Sequence, residues 1–238
     1  MRAAATTVLA PALLAVSHGT SSPSGQAAVA SLVAAVTGSR PDLSVHPGFV
    51  DVQQPDVPSA LGALPDGRAS VVVPLLLSAG YHVHVDLADV ADATGATIAR
   101  ALGPDDRLVQ LLATRLAQAG LASEDAVVLA AAGSSDAGAV ADCIETARRL
   151  GAALGRPVSV GFISAALPRL SDEIATARAA HPGRRVVVAS YLLAPGYFAG
   201  LAASSGGDVT SGPLLAPNAP APAELVDLVL ERYAEARR

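Results

Sequence analysis

The sequence predicts an α/β protein built from two similar lobes, each a parallel sheet covered by helices. Apolar runs of strand length alternate with helical patterns along all 238 residues. Those runs are apolar on both faces, as in parallel strands buried beneath helices. The second half of the chain also repeats the order of the first at nearly constant spacing.

In the first half "ALLAVS" reads as a strand, "SGQAAVASLVAAV" as a helix, "LSVHPGFV" as a strand, "DVPSALGAL" as a helix and "ASVVVPLLL" as a strand. A fourth short strand is expected near Ala96, and "DDRLVQLLATRLAQAG" closes the half as an amphipathic helix. The second half runs "AVVLAAAGSS" (strand into a Gly-Ser turn), "AGAVADCIETARRLGAAL" (helix), "PVSVGFIS" (strand) and "PRLSDEIATARAA" (helix). It ends with "RRVVVASYLL" and "GDVTSGPLL" as strands and "AELVDLVLERYAEARR" as the last helix. "AGLASED" joins a helix stop to a capping signal, which sets the expected lobes at 1–119 and 120–238.

Composition narrows the function. Aromatics are 3% of residues and Trp is absent, so the core must be built from Ala, Val and Leu. A net charge of −5 with no Lys/Arg cluster leaves no electrostatic footprint for nucleic acid. Cys143 is the one cysteine, which excludes an intramolecular disulfide framework and a thiolate metal cage. Its helical surroundings predict a buried, inert thiol. The opening "MRAAATTVLAPALLAVSHGT" has a weak charged region and an interrupting Pro11, so it reads as a lead into the first core strand rather than a signal peptide. No stretch is long and apolar enough for a membrane span, and a cytoplasmic protein is expected.

Three alignments define the repeat. "SHGTSS" from Ser17 lies over "AAGSSD" from Ala131, and "GFVDVQQPDV" from Gly48 over "GFISAALPRL" from Gly161, at offsets of 114 and 113. "PLLLSAGYHV" from Pro74 lies over "SYLLAPGYFA" from Ser190 at 116. Turn glycines, prolines and apolar strands are kept, whereas His18, Asp51 and His82 are matched by Ala132, Ser164 and Phe198. Residues that folding requires would be needed in both copies. His18, Asp51 and His82 are therefore candidates for chemistry present in the first lobe only.

Each follows a predicted strand, so all three come to the carboxyl edge of one parallel sheet, where ligands bind. Two imidazoles and a carboxylate suit a divalent transition metal, and imidazole suits proton transfer near neutrality. Gly19, Thr20, Ser78, Gly80 and Tyr81 share that edge and are expected to contact the substrate, with Gly80 and Tyr81 shaping a turn; Ser78 also reads as a packing residue. His84 shares a face with His82 if the segment is extended and diverges from it if a helix starts at Gly80. Asp86 could orient His82 on a helix or be a surface charge. His46 and His181 read as solvated. "HGTSSPSG" lacks the spacing of a phosphate loop, and "AVSHG" lacks the serine of a hydrolase elbow.

At "LLAVSHGTSSPSG", "GFVDVQQPDVPSAL" and "VVVPLLLSAGYHVHVDL" the chain resembles the sirohydrochlorin chelatases, class II tetrapyrrole chelatases. Gly80, His82 and Asp86 match a G-x-H-x-x-x-D pattern, and "SYLLAPGYFAGL" resembles the degenerate partner domain of the two-domain members. The resemblance implies a lyase of sirohaem or cobalamin biosynthesis that inserts Fe(II) or Co(II) into sirohydrochlorin without a nucleotide, in a cleft between the lobes. Iron is favoured because no cobalt-specific feature is present. It further implies that His18 and His82 hold the metal and take the pyrrole protons. Asp51 stands where the family commonly has Glu, keeping the charge but reaching less far, and "DLADV" replaces the usual D-I-P. Arg100, Arg107 and Arg169 are candidates by position for the substrate carboxylates, or surface charges. No nucleic-acid or membrane partner is expected, and the internal duplication, resembling a fused dimer, predicts a monomer. A tetrapyrrole or metal carrier on the same fold is the alternative.

Overall fold

Strands and helices alternate through both halves of the chain. The structure, a computed structural model, describes residues 10–65, 68–78 and 80–238, and for residues 81–86 the backbone course without side chains. The first half contains β1 (Ala12–Ser17), α1 (Pro23–Ser39), β2 (Val45–Phe49), α2 (Val57–Gly62), β3 (Ser70–Pro74), α3 (Tyr81–Thr94), β4 (Thr97–Ile98) and α4 (Asp106–Gln118). The second contains β5 (Ala126–Ala131), α5 (Ala137–Leu154), β6 (Val158–Phe162), α6 (Leu170–Ala180), β7 (Val186–Tyr191), α7 (Tyr197–Ala203), β8 (Val209–Thr210) and α8 (Ala223–Ala236). Each half folds into a four-stranded sheet, in the orders β2-β1-β3-β4 and β6-β5-β7-β8, with every pairing parallel.

Helix starts follow from short polar side chains. Ser22, Asp56, Asp105 and Asp136 each accept a bond from a first-turn amide, and Gly95 and Gly155 end α3 and α5 in the left-handed conformation. The central strands are apolar on both faces because both are covered. On β1, Leu13 and Ala15 face a core shared by the two sheets, while Ala12, Leu14 and Val16 meet Val57 and Leu61 of α2 and Leu87 of α3. On β5, Leu129 and Ala131 face the shared core, and Val128 and Ala130 meet Leu170 and Ile174 of α6.

The shared core joins the lobes through α1, α4, α5 and α8, which contribute Leu32, Leu112, Leu150 and Leu228 among others. The closing helix of each half crosses to the other. α4 packs on α5 and β7, and α8 on α1 and β3. Matching arginines bind these exchanges: Arg115 of α4 donates to Leu214 O at 2.6 Å, and Arg232 of α8 to Leu102 O at 2.9 Å and Ala101 O at 3.0 Å. Arg232 is wholly buried and also pairs with Asp105. Burial opposes ionisation of that carboxyl, but bonds from Arg107 and Arg232 hold it well below the usual carboxylate range.

Some elements differ from expectation. The last strand of the second half shrinks to Val209–Thr210, and β3 stops at Pro74, because beyond these points the backbone turns to bond neighbouring loops: Leu102 N donates to Leu76 O and Leu214 N to Leu192 O. The segment from Tyr81 is helical, so the extended alternative for His82 and His84 does not hold. Arg100 and Arg107 form ion pairs with Glu235 and Glu231 of α8.

Candidate functional site

In the order β2-β1-β3-β4 the chain leaves β1 for one neighbour and later returns to its other side. The crevice outside the carboxyl ends of β1 and β3 is where such a sheet takes ligands. His18 follows β1 directly and is exposed. The segment leading to α3 follows β3 and is tied to the same strand end, Leu75 N donating to Val16 O at 2.6 Å.

Backbone bonds bring Asp51 to His18. Val50 N donates to Ser17 O at 3.0 Å and Asp51 N to His18 O at 2.9 Å, extending the β1–β2 ladder past the strands. Gly19 has φ +93°, and a Cβ there would collide with Asp51 O. Only glycine fits so close an approach. Asp51 is exposed, and its Oδ1 accepts from Val52 N at 2.7 Å, which supports a turn with Val52 at φ +65°. Part of this carboxylate therefore serves the loop. Thr20 N donates to Gln53 Oε1 at 2.9 Å, so Gln53 holds the two loops together. Sequence reasoning missed Gln53; its place in the loop that carries Asp51 was the available signal.

The second lobe builds the same loop without these side chains. Ile163 N donates to Ala131 O and Ser164 N to Ala132 O, each at 2.9 Å, and Gly133 has φ +94° against Ser164 O. The loops also meet reciprocally. A Cβ on Gly196 would lie 3.3 Å from Thr20 Oγ1, and one on Gly80 3.1 Å from Ser134 Oγ. Thr20 and Ser134 are equivalent positions, as are Gly80 and Gly196, so the contact is isologous, as in a twofold dimer. It places the His18 loop and the start of α3 against the second lobe.

Ser78 is half-buried and faces the Cys143 thiol of the other lobe, which accords with a packing role. Burial pushes Cys143 up to about 11, which keeps it a neutral thiol. His46 is half-buried and bonded to Ser44 Oγ at 2.7 Å rather than solvated, whereas His181 is exposed. Arg169 is exposed at the start of α6. The side chains of Tyr81, His82, His84 and Asp86 lie outside the described residues. Among the described residues, to which the His82 side chain does not belong, no three His, Cys, Asp or Glu converge as a metal site.

Two fused parallel α/β lobes, with an imidazole and a carboxylate at the switch point of one and neither in the other, define a two-lobed chelatase-like α/β protein. The CbiX family model matches residues 12–119 and again 126–200, and the chain belongs to that sirohydrochlorin chelatase family. Solved structures agree on the fold. SirB from Bacillus subtilis with Fe3+ is 21% identical, with TM-score 0.74 over 95% of each chain. The sirohydrochlorin chelatase SirB from Bacillus subtilis subspecies spizizenii in complex with cobalt is 17% identical, with TM-score 0.73 over 95% of each. CbiX, the terminal enzyme for biosynthesis of siroheme in denitrifying bacteria, is 21% identical, with TM-score 0.64 over 92% of this chain and 98% of that one. No curated protein matches by sequence.

Proposed function

We propose that this chain inserts a divalent metal, Fe(II) in preference to Co(II), into sirohydrochlorin without ATP, as a step of sirohaem or cobalamin synthesis. The observation that carries the reading is the difference between two loops of one backbone. His18 and Asp51 in the first lobe stand where the second has Ala132 and Ser164, so the loop can be built without an imidazole and a carboxylate at these places.

The chemistry asks for bases that also bind metal, but loosely enough to release it. The ring loses two N–H protons as the cation loses water. His18, exposed at the switch point, and His82 bind the incoming metal and accept those protons; Asp51 offsets charge beside His18. Gly19, Thr20, Gly80 and Tyr81 border the substrate. The SirB structures with Fe3+ and with cobalt make both metals reasonable for this fold. In this reading residues 1–119 carry the chemistry, residues 120–238 form the partner lobe, and the chain works as a cytoplasmic monomer. Among the described residues no helix is long and apolar enough to cross a membrane.

The test is anaerobic loss of the metal-free sirohydrochlorin spectrum with Fe(II), and separately with Co(II), for wild type and His82→Ala. Insertion faster than the uncatalysed control and lost in the variant supports the chelatase. Tight tetrapyrrole binding without turnover would leave a carrier.

A further inference from the structure

Tyr191 ends β7 in the second lobe, at the position that Leu75 occupies in the first. Leu75 is 1% exposed and Tyr191 2%, so the same buried space is filled in one lobe without a hydroxyl. Packing in this fold does not demand the phenol. Its hydroxyl is nonetheless bonded, and the bond crosses between lobes: Tyr191 OH donates to Leu77 O at 3.0 Å.

We propose that Tyr191 is a positioning residue, which fixes from the second lobe the backbone segment that leads to His82. This rests on the chelatase reading above. The segment after β3 is irregular, and each of its carbonyls needs a donor. Leu76 O accepts from Leu102 N at 2.8 Å, a bond matched in the second lobe by Leu214 N to Leu192 O at 2.9 Å. The next carbonyl breaks the symmetry. In the second lobe Leu193 O accepts from Leu215 N at 2.8 Å, whereas at the equivalent Leu77 the phenol of the other lobe is the donor.

Neighbouring groups restrict that phenol. Thr146 Oγ1 lies 3.4 Å from it, and a Cβ on Gly103 would collide with both Leu77 O and the phenol oxygen. The Cys143 thiol, on the same helix as Thr146, faces Ser78, the residue after Leu77. Tyr191 and Cys143 of the second lobe thus reach Leu77 and Ser78, just before the helix that begins at Tyr81. Buried in low dielectric, such a bond is directional and costly to lose. The lobe that lacks counterparts of His18 and His82 therefore holds in place the start of the helix that carries one of them.

The experiment compares full-length wild type, Tyr191→Phe and Thr146→Val. Thr146→Val disturbs the same buried cluster but spares the bond to Leu77, so it controls for general loosening. In Tyr191→Phe, amide hydrogen exchange over residues 76–82 should quicken while the other strands stay protected. The kcat for metal insertion should fall about tenfold or more with KM for sirohydrochlorin within about twofold, because a small misplacement of a reacting group costs rate more than binding. Thr146→Val should leave kcat within about twofold at a similar loss of Tm. Unchanged exchange in Tyr191→Phe, or unchanged kcat, or an equal fall in kcat for Thr146→Val, would overturn the proposal. A wild type inactive with both metals would overturn the chelatase reading instead, and the exchange measurement would still decide whether the phenol holds the segment.

Discussion

His18 and Ala132 each follow the first strand of a lobe, each accepts at its carbonyl the amide of the residue paired with it, and each precedes a glycine near φ +93°. One carries an imidazole and the other a methyl. The pair separates what the fold requires from what it has been given to do. Glycine, with the ladder bond beyond the strands, is kept wherever the loop is built. Imidazole and carboxylate are kept in one copy. The exchange runs the other way at Leu75 and Tyr191, where the second lobe carries the polar group and turns it on the first.

Changing His18 to Ala converts the first loop to the second. Insertion should fall by about 10² to 10⁴-fold, with Tm within about 2 °C of wild type, because the second lobe already folds with Ala at that place. A large loss of Tm would mean that His18 is structural and would break the comparison.

Arg232→Met tests the exchanged helices. It leaves Ala101 O and Leu102 O without a buried donor and Asp105 with Arg107 as its remaining cation, and should cost about 3–5 kcal/mol in urea unfolding. Arg115→Met, at a less buried site, should cost less.

Alkaline pH should weaken the join between the lobes. Burial raises Cys143 to about 11 from an ordinary 9.0 and raises Tyr191 as well, so both are neutral in the folded chain. Below about pH 9 this stability is fully present; as pH rises towards 11 the unfolded chain ionises first and about 2–3 kcal/mol is lost. Cys143→Ala, followed by chemical denaturation across that range, should flatten the fall.

Gly133→Ala sharpens the structural half of the comparison, since it should cost about 1–3 kcal/mol in a loop that bears none of the proposed chemistry. Asp51→Ser, which copies the second lobe, should have the smallest effect. Insertion should drop by no more than about tenfold, because one oxygen of Asp51 already serves the turn at Val52.

Much of this was legible in the chain. Alternating apolar runs located the core strands, since a strand buried on both faces must be apolar throughout. The offsets of 114, 113 and 116 revealed the duplication and, through it, His18, Asp51 and His82. Their order after successive strands also implied the meeting of His18 and Asp51, because a parallel sheet carries the carboxyl ends of its strands to one edge. What the sequence by itself determined, then, is the element order, the repeat and the residues that differ between copies, all of which rest on local periodicity and self-comparison. The tertiary structure alone decided that α4 covers β7 and α8 covers β3, that Arg100 and Arg107 belong to ion pairs with α8, and that Tyr191 reaches Leu77. An apolar helix stripe reads the same whichever sheet it covers, and a phenol at a strand end reads as core until its hydrogen-bond partner is seen. Those choices are made by long-range packing, which local sequence does not encode.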